Sequence, residues 1–73
     1  MEKIVHDLRK LKAMQSEGLI KLHEDTGKSV EYNGRKVKAW YIDEGKNRFK
    51  FKGKNYETKY YSGSFYPYVV EVD

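Results

Sequence analysis

The chain has no cysteine, one proline, one tryptophan and two histidines in 73 residues. Without cysteine it can have neither a disulfide framework nor a thiolate-held zinc or iron–sulfur centre. The lack of disulfides fits a reducing compartment, and the expected location is the cytoplasm. The two histidines, His6 and His23, have no paired ligand spacing, so no metal and no cofactor are expected. No apolar run reaches the roughly 18 residues that cross a bilayer, and the N-terminus lacks the apolar segment of a secretory signal, so no membrane partner is expected. There is no glycine-rich phosphate loop followed by lysine and a hydroxyl, and no calcium loop with spaced oxygen ligands. The carboxylate pairs Glu24-Asp25 and Asp43-Glu44 fall on turn-like stretches, where such residues serve turn chemistry. The reading is therefore non-enzymatic. A metal-free ribonuclease built on lysine, arginine and tyrosine is the enzymatic alternative, and no spacing selects it.

Charge and tyrosine are what the chain has in excess. Charged residues make up 36%, with a balance of +4 and a pI near 9.3. Seven of the aromatic side chains are tyrosine. A single domain of this size hides only about 60% of the surface that its unfolded chain exposes. Its core has little room for so many hydroxyls, each needing a hydrogen-bond partner, so some tyrosines belong at the surface. Basic charge interleaved with exposed aromatics suits nucleic acid, DNA or RNA. It suits a protein-binding surface equally well.

The pattern along the chain predicts an α+β, mainly β domain. Ile4, Val5, Leu8, Leu11 and Met14 recur at helical spacing and predict one helix over about residues 2–17, stopped by Gly18. A β meander of about five to six antiparallel strands is expected over residues 19–72, curled into a small SH3- or OB-like barrel that the helix plugs. Asn33-Gly34 predicts a type I′ hairpin pairing Tyr32 with Arg35, Glu31 with Lys36 and Val30 with Val37. Lys52-Gly53 predicts a second, pairing Phe51 with Lys54, Phe49 with Tyr56 and Arg48 with Glu57. Further turns are expected at 24–28, at Asp43-Glu44-Gly45-Lys46 with glycine left-handed, and at Ser62-Gly63. Phe65 to Val72 reads as a last strand, placed at an edge or bulged at Pro67 because proline cannot donate to a ladder.

Alternation then proposes a surface. With Val37, Ala39, Tyr41, Phe49, Phe51, Tyr56 and Tyr60 inward, the outward set holds Lys36, Lys38, Trp40, Ile42, Arg48, Lys50, Asn55, Glu57, Lys59 and Tyr61. On that face Lys36, Lys38, Arg48, Lys50 and Lys59 are expected to contact phosphates, and Trp40 and Tyr61 to stack on or wedge against bases. If Trp40 faces inward instead, Ala39 and Tyr41 are expected to swing outward. The hairpin Arg48-Phe49-Lys50-Phe51-Lys52-Gly53-Lys54 resembles the first hairpin of the small archaeal chromatin proteins, a likeness that implies duplex DNA bound through a tryptophan-bearing sheet face. The alternative function is a protein-interaction module, such as a phage-type adaptor or inhibitor of a host protein. Its contact would be Tyr60, Tyr61, Phe65, Tyr66 and Tyr68, as a monomer or homodimer.

Overall fold

A computed structural model describes residues 2–23, 27–60 and 65–72. The expected turn at Ser62-Gly63 and most of the one at 24–28 lie outside these residues. The described chain is mainly β with one helix. In order it runs β1 (Lys3–Ile4), α1 (Leu8–Ser16), β2 (Ile20–Leu22), β3 (Lys28–Tyr32), β4 (Arg35–Ala39), β5 (Ile42–Gly45), β6 (Arg48–Phe51), β7 (Lys54–Lys59) and β8 (Tyr68–Val72).

The helix is shorter than its apolar stripe suggested. Asp7 adopts an extended conformation and its side chain accepts a hydrogen bond from Arg9 N at 3.0 Å, which caps the helix and starts it at Leu8. Ile4 and Val5, both β-branched, join the sheet instead: β1 pairs antiparallel with β8, and Val5 N donates to Val69 O at 2.8 Å. The stripe that remains buries Leu11 and Met14. Gly18, with φ at 77°, ends the helix, and its N–H donates to Gln15 O at 2.9 Å. Gln15 Oε1 accepts from Leu22 N at 2.7 Å, fastening the last turn to β2.

Both hairpins have the expected register, pair for pair. Asn33 and Gly34 have φ of 52° and 76°, and Lys52 and Gly53 have 51° and 80°. Positive φ at both central residues is what a two-residue hairpin turn of matching twist requires.

Three expectations fail. Asp43 to Lys46 is not a hairpin turn, because most of it is β5, which pairs antiparallel with β2. Gly45 is needed for space rather than for a left-handed backbone: a Cβ there would come within 3.1 Å of Ile20 and Ile42 and 3.3 Å of Thr58. Pro67 precedes β8, and that strand is interior, held between β1 and β7. The missing donor costs nothing there, and the Pro67 carbonyl accepts from Ile42 N at 3.1 Å. Finally, the strands form three antiparallel sheets, ordered β1-β8-β7-β6, β2-β5 and β3-β4, with no closed barrel among the described residues.

The four-stranded sheet is a middle layer with apolar groups on both faces. One face brings Phe49, Phe51, Tyr56 and Val69 against Leu11, Met14, Ile20, Leu22, Trp40 and Ile42. The other brings Ile4, Tyr68 and Val70 against Ala39 and the half-buried Val30, Tyr32, Val37 and Tyr41 of the β3–β4 hairpin and its exit. β8 is accordingly buried on both sides at Tyr68, Val69 and Val70, as expected of a central strand covered twice.

Candidate nucleic-acid interface

The expected face rested on the parity of a strand, and the structure shows which part of that inference holds. From Val37 to Ile42 the alternation is unbroken. Val37, Ala39 and Tyr41 belong to one apolar cluster, while Trp40 and Ile42 belong to the other. The error lay in assigning the second parity to water. After Ala39 the chain leaves the outer hairpin and passes between the two clusters, so both of its faces are covered.

Trp40 is only 7% exposed and Ile42 is fully buried, which corrects their outward placement. Ala39 does not swing out in exchange, being fully buried itself, and Tyr41 is half-buried. The tryptophan-bearing face implied by the likeness to the archaeal chromatin proteins is therefore not formed. Tyr60, expected inward, is 68% exposed. Tyr61 lies outside the described residues.

The cations divide between two surfaces. On the β6–β7 hairpin, register puts Arg48, Lys50, Asn55, Glu57 and Lys59 on one face of the middle sheet, as alternation predicted. Arg48 Nε lies 3.4 Å from Glu57 Oε2, and Lys59 Nζ donates to Glu2 Oε2. That hydrogen bond raises the Lys59 pKa above its ordinary value. Lys36 and Lys38 are elsewhere, on the outer face of the β3–β4 hairpin, opposite Glu31 and Ser29. Lys38 Nζ sits 5.7 Å from the Trp40 ring centroid, within reach of a cation–π attraction. Among the described residues Lys36, Lys38 and Lys50 make no ion pair.

The tyrosines proposed for protein contact also divide. Phe65 is 92% exposed and, with Tyr60, forms the pair of large exposed apolar side chains of the described surface. Tyr68 is not available, since it lies in the core beneath Tyr41 with ring centroids 4.9 Å apart. Burial, and then a hydrogen bond with Tyr41, pushes the Tyr68 phenol well above the usual tyrosine range. Tyr66 is half-buried in a stack that the sequence did not suggest. Its ring lies 4.1 Å from that of His23, and His23 Nδ1 is hydrogen-bonded to Asp43 Oδ1. Twenty positions separate His23 from Asp43, and only the β2–β5 pairing brings them together. No local signal could have found this group. Within it, His23 is held between a carboxylate and a ring, an arrangement that orients an imidazole and joins three segments.

The fold thus defines a small, three-layered, mainly β domain with two surfaces that carry cations and two exposed aromatic side chains, Tyr60 and Phe65. No family model, no curated protein and no solved structure matches the chain. No group of three or more metal-ligating side chains occurs among the described residues, and no described helix is long and apolar enough to cross a membrane.

Proposed function

We propose that the chain is a small non-enzymatic module that binds nucleic acid through exposed lysines that make no ion pair among the described residues. The observation that carries this reading is how the described carboxylates are used. Glu2, Glu57 and Glu71 are taken up by Lys59, Arg48 and Lys54, Asp43 is hydrogen-bonded to His23, and Glu31 sits across the ladder from Lys36 without forming an ion pair with it. The exposed Lys36, Lys38 and Lys50 keep their charge available for phosphates, and each phosphate neutralised releases a counterion. Arg48 and Lys59 would have to exchange a carboxylate for a phosphate, so they contribute less. With the indole withdrawn from the surface, little sequence preference is expected, because phosphate contacts carry none.

The test is titration of a short duplex at several salt concentrations. Three open lysines predict a log–log slope of about −2.7. Binding that ignores salt, or no binding at micromolar protein, refutes the reading.

The exposure of Tyr60 and Phe65 favours a second reading, a protein-interaction module of the adaptor or inhibitor kind. Aromatic side chains are enriched where partners bury them. Replacing both by alanine should change stability by no more than about 0.5 kcal/mol while abolishing a partner interaction that survives nuclease treatment. Retention of that partner by the double variant excludes these rings as the contact.

A further inference from the structure

The middle sheet ends at β6, and the hairpin geometry says where the backbone of that strand points. Phe51 and Lys54 flank the two-residue turn and so form its closing hydrogen-bonded pair. Thr58 N donates to Asn47 O at 3.2 Å, in the same phase. Arg48 and Lys50, on the other parity, therefore turn their N–H and C=O groups away from β7. Among the described residues no hydrogen bond meets them there. Phe49 and Phe51 are buried in the cluster beneath the helix, so this edge is already ordered and binding need not fix it.

The other strand edges differ. β1 is two residues long, β2 is irregular between Lys21 and Leu22, and β3 and β5 carry the carboxylates Glu31 and Asp43-Glu44. β4 also turns two lysines outward, but only Ala39 and the half-buried Val37 anchor it. β6 and its turn hold no carboxylate. On the neighbouring strands Glu57 lies 3.4 Å from Arg48 Nε and Glu71 lies 3.6 Å from Lys54, while Lys50 stands opposite Asn55. Lys50 and Lys52 make no ion pair among the described residues. A second copy of β6 laid antiparallel on this edge would set like charges against each other, which disfavours self-pairing.

We propose that β6 takes up an extended acidic segment of a protein partner as the next antiparallel strand of the sheet, with carboxylates at alternate positions facing Lys50 and Lys52. This goes beyond the nucleic-acid reading and does not rest on it. The outward carbonyls of Arg48 and Lys50 need donors at strand spacing, which a peptide backbone supplies and a row of phosphates cannot. In an antiparallel pair, the residue opposite Lys50 exchanges hydrogen bonds with it and points its side chain to the same face. One glutamate there meets the backbone and the ammonium together.

The test uses the full chain and a labelled peptide that alternates glutamate and threonine, read by anisotropy and by amide hydrogen exchange. Binding should slow exchange at Arg48 and Lys50. Methylating the glutamate nitrogens removes the donors that face β6 and should weaken binding about 5- to 150-fold, whereas methylating the threonine nitrogens should leave it unchanged. Lys50→Pro removes an N–H that the ladder with β7 does not use, so this variant should fold, with Trp40 emission still protected. It should bind about 2- to 12-fold more weakly than Lys50→Gln, which removes the charge alone. Should Lys50→Pro not fold, the methylated peptides decide. Equal affinity for the two methylated peptides reduces the edge to a patch of charge and overturns the inference. So does exchange slowed at Lys36 and Lys38 instead, or the absence of binding at about 1 mM peptide. An oligothymidylate that protects Arg48 and Lys50 where the peptide does not gives the edge to nucleic acid and overturns it as well.

Discussion

Single side chains here carry consequences that their neighbours in sequence do not announce. The Tyr68 phenol is buried and hydrogen-bonded to Tyr41, and its pKa, like that of Tyr56, is raised first by desolvation. For an acid whose folded pKa exceeds its unfolded one, the contribution to stability is complete below the unfolded value, about 10 for tyrosine, and is lost as pH rises beyond it. Denaturation midpoints should therefore hold steady up to about pH 10 and fall above it. Tyr68→Phe should lower stability by about 1 kcal/mol at neutral pH and make the alkaline fall shallower. An unchanged alkaline fall in the variant would show that the phenol is not the cause. Lys52 is a different case, a non-glycine residue at positive φ where asparagine is better suited. Lys52→Asn should raise stability by a few tenths of a kcal/mol, as read by chemical denaturation.

Among the elements, β5 shows how one short strand can be mistaken for a turn. Asp43-Glu44-Gly45 has the composition of a loop, and its side chains are exposed. Its partner β2 is remote in sequence, and the pairing is what makes it a strand. The glycine is then explained by crowding. A methyl group at Gly45 would press on Ile20, Ile42 and Thr58, so Gly45→Ala should cost on the order of 1–3 kcal/mol although the residue is exposed and not left-handed. A neutral result in thermal denaturation would mean that those side chains give way freely. The β6–β7 hairpin is the opposite case. Its turn, register and cross-strand pairs all lie within a dozen residues, and each was legible from Lys52-Gly53 outward. The helix falls between the two: its buried stripe was visible, but its start was not, because Ile4 and Val5 satisfy helical spacing and β preference alike.

For the molecule as a whole, geometry limits what net charge can do. The chain measures about 29 × 27 × 19 Å, while charges in physiological salt are screened beyond about 8 Å. A ligand therefore meets local clusters rather than the sum of +4. That is why the engagement of Glu2, Glu57 and Glu71 matters more than the composition. The same small size makes the core costly to damage. Trp40 fills the cluster between the helix and the middle sheet, and Trp40→Ala should cost about 3–5 kcal/mol. A core of this size supplies about that much, so the variant should lose cooperative unfolding by circular dichroism. The unmodified chain should show blue-shifted emission shielded from quencher. Full quenching at low quencher concentration would contradict the burial of the ring.

Period, turn chemistry and hairpin register are properties of residues close together along the chain, and the amino-acid order was sufficient for them. Val30 to Val37 and Phe49 to Tyr56 pair as their alternation required. Even the parity of Trp40 was correct. Whether a given parity meets water is not a local property, because it depends on what other segment is laid over it. Trp40 and Val69 are covered because the helix and the β2–β5 pair close over one face of the sheet, while the β3–β4 hairpin closes over the other. Alternation distinguishes one face from another, and only packing between distant segments leaves one of them wet.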